Sequence, residues 1–158
     1  MVSLHMANLN FKQDLKLGND GETTVRIFLE SQGAKFIDSN NDNKYDLKMM
    51  VKGLEKTYEI KTDVKVAPLF DTGNIFIEYE SRNKPSGIAT SKADWFVTYF
   101  LFLNELWFIK TESLRKLILE NEYPIVKDAG DVGSATHGYL LPRKDVKKYF
   151  HVCKIQKA

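Results

Sequence analysis

Residues 44–63, KYDLKMMVKGLEKTYEIKTD, hold two runs of alternating residues with Lys52-Gly53 between them. Such alternation marks a half-buried strand, and a Lys-Gly pair between two strands reads as a tight hairpin turn. Placing Val51 opposite Leu54 sets the register, so that Lys48 meets Thr57, Leu47 meets Tyr58 and Asp46 meets Glu59. Side chains alternate across a strand. Tyr45, Leu47, Met49 and Val51 therefore share an apolar face with Leu54, Tyr58 and Ile60, and Asp46, Lys48, Thr57, Glu59 and Lys61 share the other.

Two carboxylates directly opposed in an antiparallel pair repel, at a cost of up to about 1 kcal/mol. A cation between Asp46 and Glu59 reverses that sign. Hard divalent ions favour such oxygen donors, and magnesium is commonly held by one or two carboxylates with waters retained. Lys61 stands one pleat further along the same face, placed to orient or deprotonate a metal-polarised water or to steady a phosphoryl oxyanion. The plainer alternative is a hairpin with a solvated polar face.

Working outward, NDGETTVRIFLESQG carries helix punctuation: Asp20 can cap the start and Gly33 can end it. Val25, Phe28 and Leu29 form a buried stripe, and Glu22 lies on that stripe, an inward carboxylate in the first turn. KFIDSN and NIFIEYES read as strands. ADWFVTYFLF and ELWFIKT read as a second hairpin turning at Asn104-Glu105. Thr111 is a candidate cap for a helix bearing Leu114, Leu117 and Ile118 that ends before Pro124, and the basic tail ends in a helical turn or strand. This order predicts an α/β or α+β fold with a central mixed β-sheet flanked by helices.

Glu22 on an opening helix, Asp46 on one strand and Glu59-Ile60-Lys61 on the next resemble the PD-(D/E)XK nuclease superfamily, which includes Holliday-junction resolvases and many restriction endonucleases. The likeness spans about residues 19–110 in order and spacing, with Tyr45 where the naming proline stands. It implies a restriction-endonuclease-like core. Asp46, Glu59 and the Ile60 carbonyl would hold Mg2+ or Mn2+, Glu22 would support the metal through water, and Lys61 would be the catalytic lysine.

In YESRNKPSGIATSKADW, Arg82, Lys84, Ser86 and Lys92 suit DNA phosphate contacts that position without reading sequence; a polar connecting loop is the alternative. Glu78 is the candidate accessory acid of the preceding strand. Asp63 is a candidate salt-bridge partner for Lys61. His137, in a Gly-rich loop, is read as solvated, and Cys153 as structural. The aromatics from Trp95 to Phe108 read as core and sheet packing or a dimer surface, and the basic tail, with Arg143, Lys144, Lys147 and Lys148, as a phosphate-tracking or solvated face.

The bulk properties fit this reading without supplying it. The 158 residues suit one domain. A composition of 43% hydrophobic and 28% charged residues is that of an ordinary globular chain. Net charge of +2 gives no overall basicity, so a nucleic-acid partner needs a local patch. The single cysteine excludes an internal disulfide and fits a reducing, cytoplasmic setting. No run reaches membrane-spanning length and no secretory signal is read. Residues 1–6, MVSLHM, are read as an expression remnant or a disordered start.

The function expected is a magnesium- or manganese-dependent deoxyribonuclease, structure-selective, in DNA repair, recombination or phage DNA processing, with a homodimer where two cuts are made. The alternative is a non-catalytic nucleic-acid-binding or assembly module on the same fold, and a weaker third is a structural protein with a polar hairpin.

Overall fold

In the computed structural model, residues 20–39, 44–127, 129 and 135–155 are described. The segment read as a remnant lies outside them. Helix α1 (Gly21–Ser31) starts where expected: the Asp20 carboxylate accepts the Thr23 N–H at 3.3 Å and the Thr23 hydroxyl at 2.6 Å. It closes through Gln32 into Gly33, whose φ of +95° is the left-handed conformation a helix end favours.

Strand β1 (Lys35–Asp38) leads to β2 (Leu47–Val51) and β3 (Leu54–Asp63). Lys52 and Gly53 both have positive φ, 51° and 80°, the geometry of a two-residue hairpin turn that matches strand twist. The β2–β3 register runs Val51↔Leu54 to Leu47↔Tyr58, as the alternation predicts. The ladder stops there: Tyr45 and Asp46 precede the strand instead of extending it. Tyr45 is half-buried and donates its hydroxyl to Asp38 at 2.7 Å, so it does not join the apolar face, and Leu54 at the turn is 61% exposed.

The chain continues through β4 (Asn74–Ser81), β5 (Lys84–Pro85), a 3-10 turn (Gly87–Ala89), β6 (Trp95–Phe100) and β7 (Glu105–Lys110). Then come α2 (Thr111–Glu120), β8 (Ile125–Val126), β9 (His137–Pro142), α3 (Arg143–Val146) and β10 (His151–Lys154). The β6–β7 turn occupies residues 101–104, with Asn104 at φ +54°, and Glu105 already belongs to β7. Lys110, not Thr111, is the residue before α2. It makes no side-chain cap, and Thr111 is buried as the first helical residue. The expected loop after β4 contains a second two-residue turn, Arg82-Asn83, with positive φ at both. The Gly-rich stretch around His137 is a strand from His137 onward.

The fold is α+β. A six-stranded mixed sheet has the order β1-β2-β3-β6-β7-β10, in which only β3–β6 is parallel; a four-stranded antiparallel sheet has the order β5-β4-β9-β8. Parity along the strands divides two cores. Leu47, Met49, Tyr58, Val97, Tyr99 and Phe108 pack with Val25 and Phe28 of α1. Phe100, Trp107 and Ile109 pack on the opposite face with Ile75 and Ile77 of β4 and Leu114 of α2. Each such fully buried side chain contributes about 1.5–3 kcal/mol relative to exposure. The aromatic hairpin is therefore chiefly core. Among the described residues no helix is long and apolar enough to cross a membrane.

Candidate functional site

Strand β3 is flanked on both sides, by β2 and by β6, and its odd-numbered residues face away from α1 toward β4. That parity gathers Glu59 and Lys61 in a cleft between the two sheets. Lys61 Nζ stands 3.1 Å from Glu78 Oε1, and Ser86 Oγ donates to Glu78 Oε2 at 2.8 Å. Glu59 Oε1 accepts the Ser91 hydroxyl at 3.0 Å. A small hollow of about 70 Å³ lies between Glu59, Lys61, Glu78, Gly87, Phe96 and Thr98.

Asp46 joins the cleft by a route the ideal register does not describe. Past Leu47 the β2 ladder gives way, and Asp46 Oδ2 accepts the Ile60 N–H at 2.7 Å in place of a strand carbonyl, while the Asp46 N–H donates to the Tyr58 carbonyl at 2.9 Å. The N–H and C=O of an extended residue point to the same side, so the Ile60 carbonyl emerges on the edge where Asp46 sits.

Burial raises the Asp46 carboxyl above its usual range, against the opposing pull of the Ile60 N–H and the Lys61 ammonium. Burial, then the Asp46 carboxylate, push Glu59 up to about 7; the Ser91 hydroxyl and Lys61 partly offset this. Two carboxyls that disfavour each other's charge in a partly dry cleft are the electrostatic setting that a cation relieves. The donor set fits a hard divalent ion: one oxygen of Asp46 and one of Glu59 are engaged by protein donors, which leaves the second oxygen of each and the Ile60 carbonyl. Among the described residues no three His, Cys, Asp or Glu side chains form a ready-made metal cage.

Glu22 is half-buried at the start of α1, and no hydrogen bond or ion pair joins it to Asp46, Glu59 or Lys61. The helix itself presses on the other face of β3: a Cβ at Gly21 would lie 2.1 Å from Thr62 Oγ1. The four candidate DNA contacts separate. Ser86 is inside the cleft, Arg82 and Lys84 are exposed at the β4–β5 hairpin, and Lys92 lines a different hollow with Lys56, Lys110 and Arg115.

Asp63 does not hold Lys61. Its Oδ1 accepts the Lys65 and Val66 N–H groups at 2.9 Å each and shapes the turn leaving β3. His137 is half-buried, with Nε2 3.4 Å from Glu80 Oε2. Arg143 in the basic tail is structural: it donates to the Asn74 carbonyl at 2.7 Å and pairs with Asp71.

Two supporting residues carry no signal in local sequence. Ser91, 4% exposed, steadies Glu59, and its carbonyl in turn accepts from Arg115, which also donates to the Ile88 carbonyl at 3.0 and 3.1 Å. Only the parallel β3–β6 register, which sets Glu59 beside Phe96, brings that loop within reach. Comparison with protein families, curated proteins and solved structures finds no match to this chain.

Proposed function

We propose that this chain is a metal-dependent deoxyribonuclease with a PD-(D/E)XK-type, restriction-endonuclease-like site that hydrolyses DNA phosphodiester bonds. The observation that carries the reading is the meeting of Asp46, Glu59 and Lys61 in one cleft, with Asp46 fastened to the Ile60 N–H between the other two.

Asp46, Glu59 and the Ile60 carbonyl would hold magnesium or manganese, which when bound supplies Lewis-acid polarisation of water and of a phosphoryl oxygen. Lys61, held by Glu78, orients the attacking water or stabilises the developing oxyanion. Glu78, itself steadied by the Ser86 hydroxyl, fixes the ammonium, and Ser91 fixes the Glu59 carboxylate. The DNA processed would be irregular structures in repair or recombination, and cutting two strands of a junction calls for a homodimer.

The test is cleavage of plasmid and oligonucleotide DNA with and without magnesium or manganese, with Lys61→Ala as control. A second reading, a nucleic-acid-binding module, is favoured by the Lys61–Glu78 ion pair, which occupies the ammonium a nuclease needs. Binding of DNA with no cutting of any form in either metal selects that module over the enzyme.

A further inference from the structure

The small hollow beside Lys61 shares a wall with a much larger cavity. About 500 Å³ in volume, it shares Lys61, Phe76, Glu78 and Thr98 with the hollow and extends along Val66, Phe70, Asn74 and Leu140. The two differ in size and chemistry. At about 70 Å³ the hollow holds a phosphoryl-sized group or two waters, each of about 30 Å³. The cavity falls in the range of small-molecule sites, about 300–1,000 Å³.

Its lining is mostly apolar, with a few polar side chains. The Phe76 ring lies across Gly138, where an added Cβ would come within 2.4 Å of it, so a missing side chain makes room for the aromatic wall. Asn74 is half-buried; its backbone carbonyl is taken by Arg143, while its side-chain amide makes no hydrogen bond within the described chain and keeps both a donor and an acceptor for a base edge. At the rim Phe70 is 78% exposed, an aromatic face held at the mouth of the cavity instead of in a core.

We propose that this cavity receives the base of an unpaired nucleotide beside the scissile phosphate, which makes the enzyme selective for single-stranded DNA, flaps and frayed ends over intact duplex. The proposal rests on the nuclease reading above and deepens it. A base inside a duplex stack cannot enter such a pocket without being extruded, whereas an unpaired base enters at little cost. Phe70 supplies the stacking surface and Asn74 the polar edge, and the shared Lys61–Glu78 wall sets the base next to the reacting diester.

The experiment measures kcat/KM of the wild-type chain and Phe70→Ala on a labelled single-stranded oligonucleotide, on the same sequence as duplex, and on bis(p-nitrophenyl) phosphate, which has no base to insert. Because Phe70 is exposed, its replacement leaves the fold intact; Thr72→Trp, at an exposed lining residue, narrows the cavity and is the second variant, expected to lower single-strand cutting in the same way. The wild type is expected to cut the single strand at least about tenfold better than duplex. Loss of one stacked base lowers Phe70→Ala on the single strand, relative to the small diester, by about five- to a hundredfold, mostly through KM.

Equal cutting of both DNA forms, or equal losses on all three substrates, overturns the base pocket while the small diester still reports a working nuclease. No hydrolysis of any substrate removes the nuclease reading and this proposal together. A change in oligomeric state on Phe70→Ala, without a change in KM, identifies the rim as an interface between copies and also overturns it.

Discussion

Glu59→Gln removes one charge from a partly dry cleft while keeping the shape of the side chain. In the folded chain burial and the Asp46 carboxylate push the Glu59 carboxyl from 4.5 to about 7. At 1.36 kcal/mol per pKa unit, ionising Glu59 costs the fold at most about 3 kcal/mol, and solvent screening of the partly exposed group reduces this to about 1–2 kcal/mol. Between pH 4.5 and about 7 the native state binds more protons than the unfolded state, so wild-type stability falls as pH rises through that window.

Gln carries no such cost. With chelator present, Glu59→Gln is expected to exceed the wild type at pH 8 by about 1–2 kcal/mol, or about 2–8 °C in Tm for a chain of this length. The gap closes near pH 4.5, where both side chains are neutral. Thermal and urea melts at pH 4.5, 6 and 8 measure it. Identical melting at pH 8, or a gap of the same size at pH 4.5, would refute the reasoning. Added magnesium then stabilises the wild type more than the variant, since only the former keeps both carboxylates.

Lys61→Ala is expected to fold normally, because its side chain is 58% exposed, and to lose about 10²–10⁴-fold in single-turnover cleavage; a loss under about threefold excludes Lys61 from the chemistry. Gly87→Ala is expected to cost more than about 1 kcal/mol and to impair cleavage. Gly87 has φ +53° and an added Cβ would lie 2.2 Å from the Glu78 carbonyl, so an unchanged urea midpoint would show that the 86–90 loop does not brace Glu78. In chelator, a labelled single strand is expected to bind more tightly at pH 6 than at pH 8, as Glu59 takes up its proton; fluorescence anisotropy follows this, and a flat profile counts against the cleft as the DNA site.

The β2–β3 hairpin was legible because every determinant is local: alternation in both runs, a turn pair able to take positive φ, and a one-residue slip that would turn Lys48 of β2, or Glu55 and Glu59 of β3, onto the core face. Asp46 comes beside Glu59 by a route the alternation describes only in part. The register placed it opposite Glu59, whereas the ladder ends one residue earlier and its side chain substitutes for a backbone acceptor. The second sheet was not legible. Its strands β5 and β8 are two residues each, too short for any period, and β9 begins among residues read as a Gly-rich loop. Ser91 and Arg115 reach Glu59 only through the parallel β3–β6 pairing, a contact across more than thirty residues that alternation within one strand cannot encode.

Charge balance in the cleft constrains what can enter it. Fully ionised, Asp46, Glu59 and Glu78 set three carboxylates against the single ammonium of Lys61, a formal charge of −2 in a space that Ser86, Ser91 and the Ile60 N–H only partly solvate. A phosphodiester brings one more negative charge, and like charges a few ångströms apart in a partly dry site repel by several kcal/mol. The cluster without a cation therefore disfavours a phosphodiester beside Lys61. On the proposed reading, one divalent cation held by Asp46 and Glu59 would cancel the formal charge and remove that barrier to a phosphodiester. The protonation of Glu59 near neutrality is the smaller, metal-free version of that correction, which is why acidity and metal should act in the same direction on DNA binding but only the metal should support cutting.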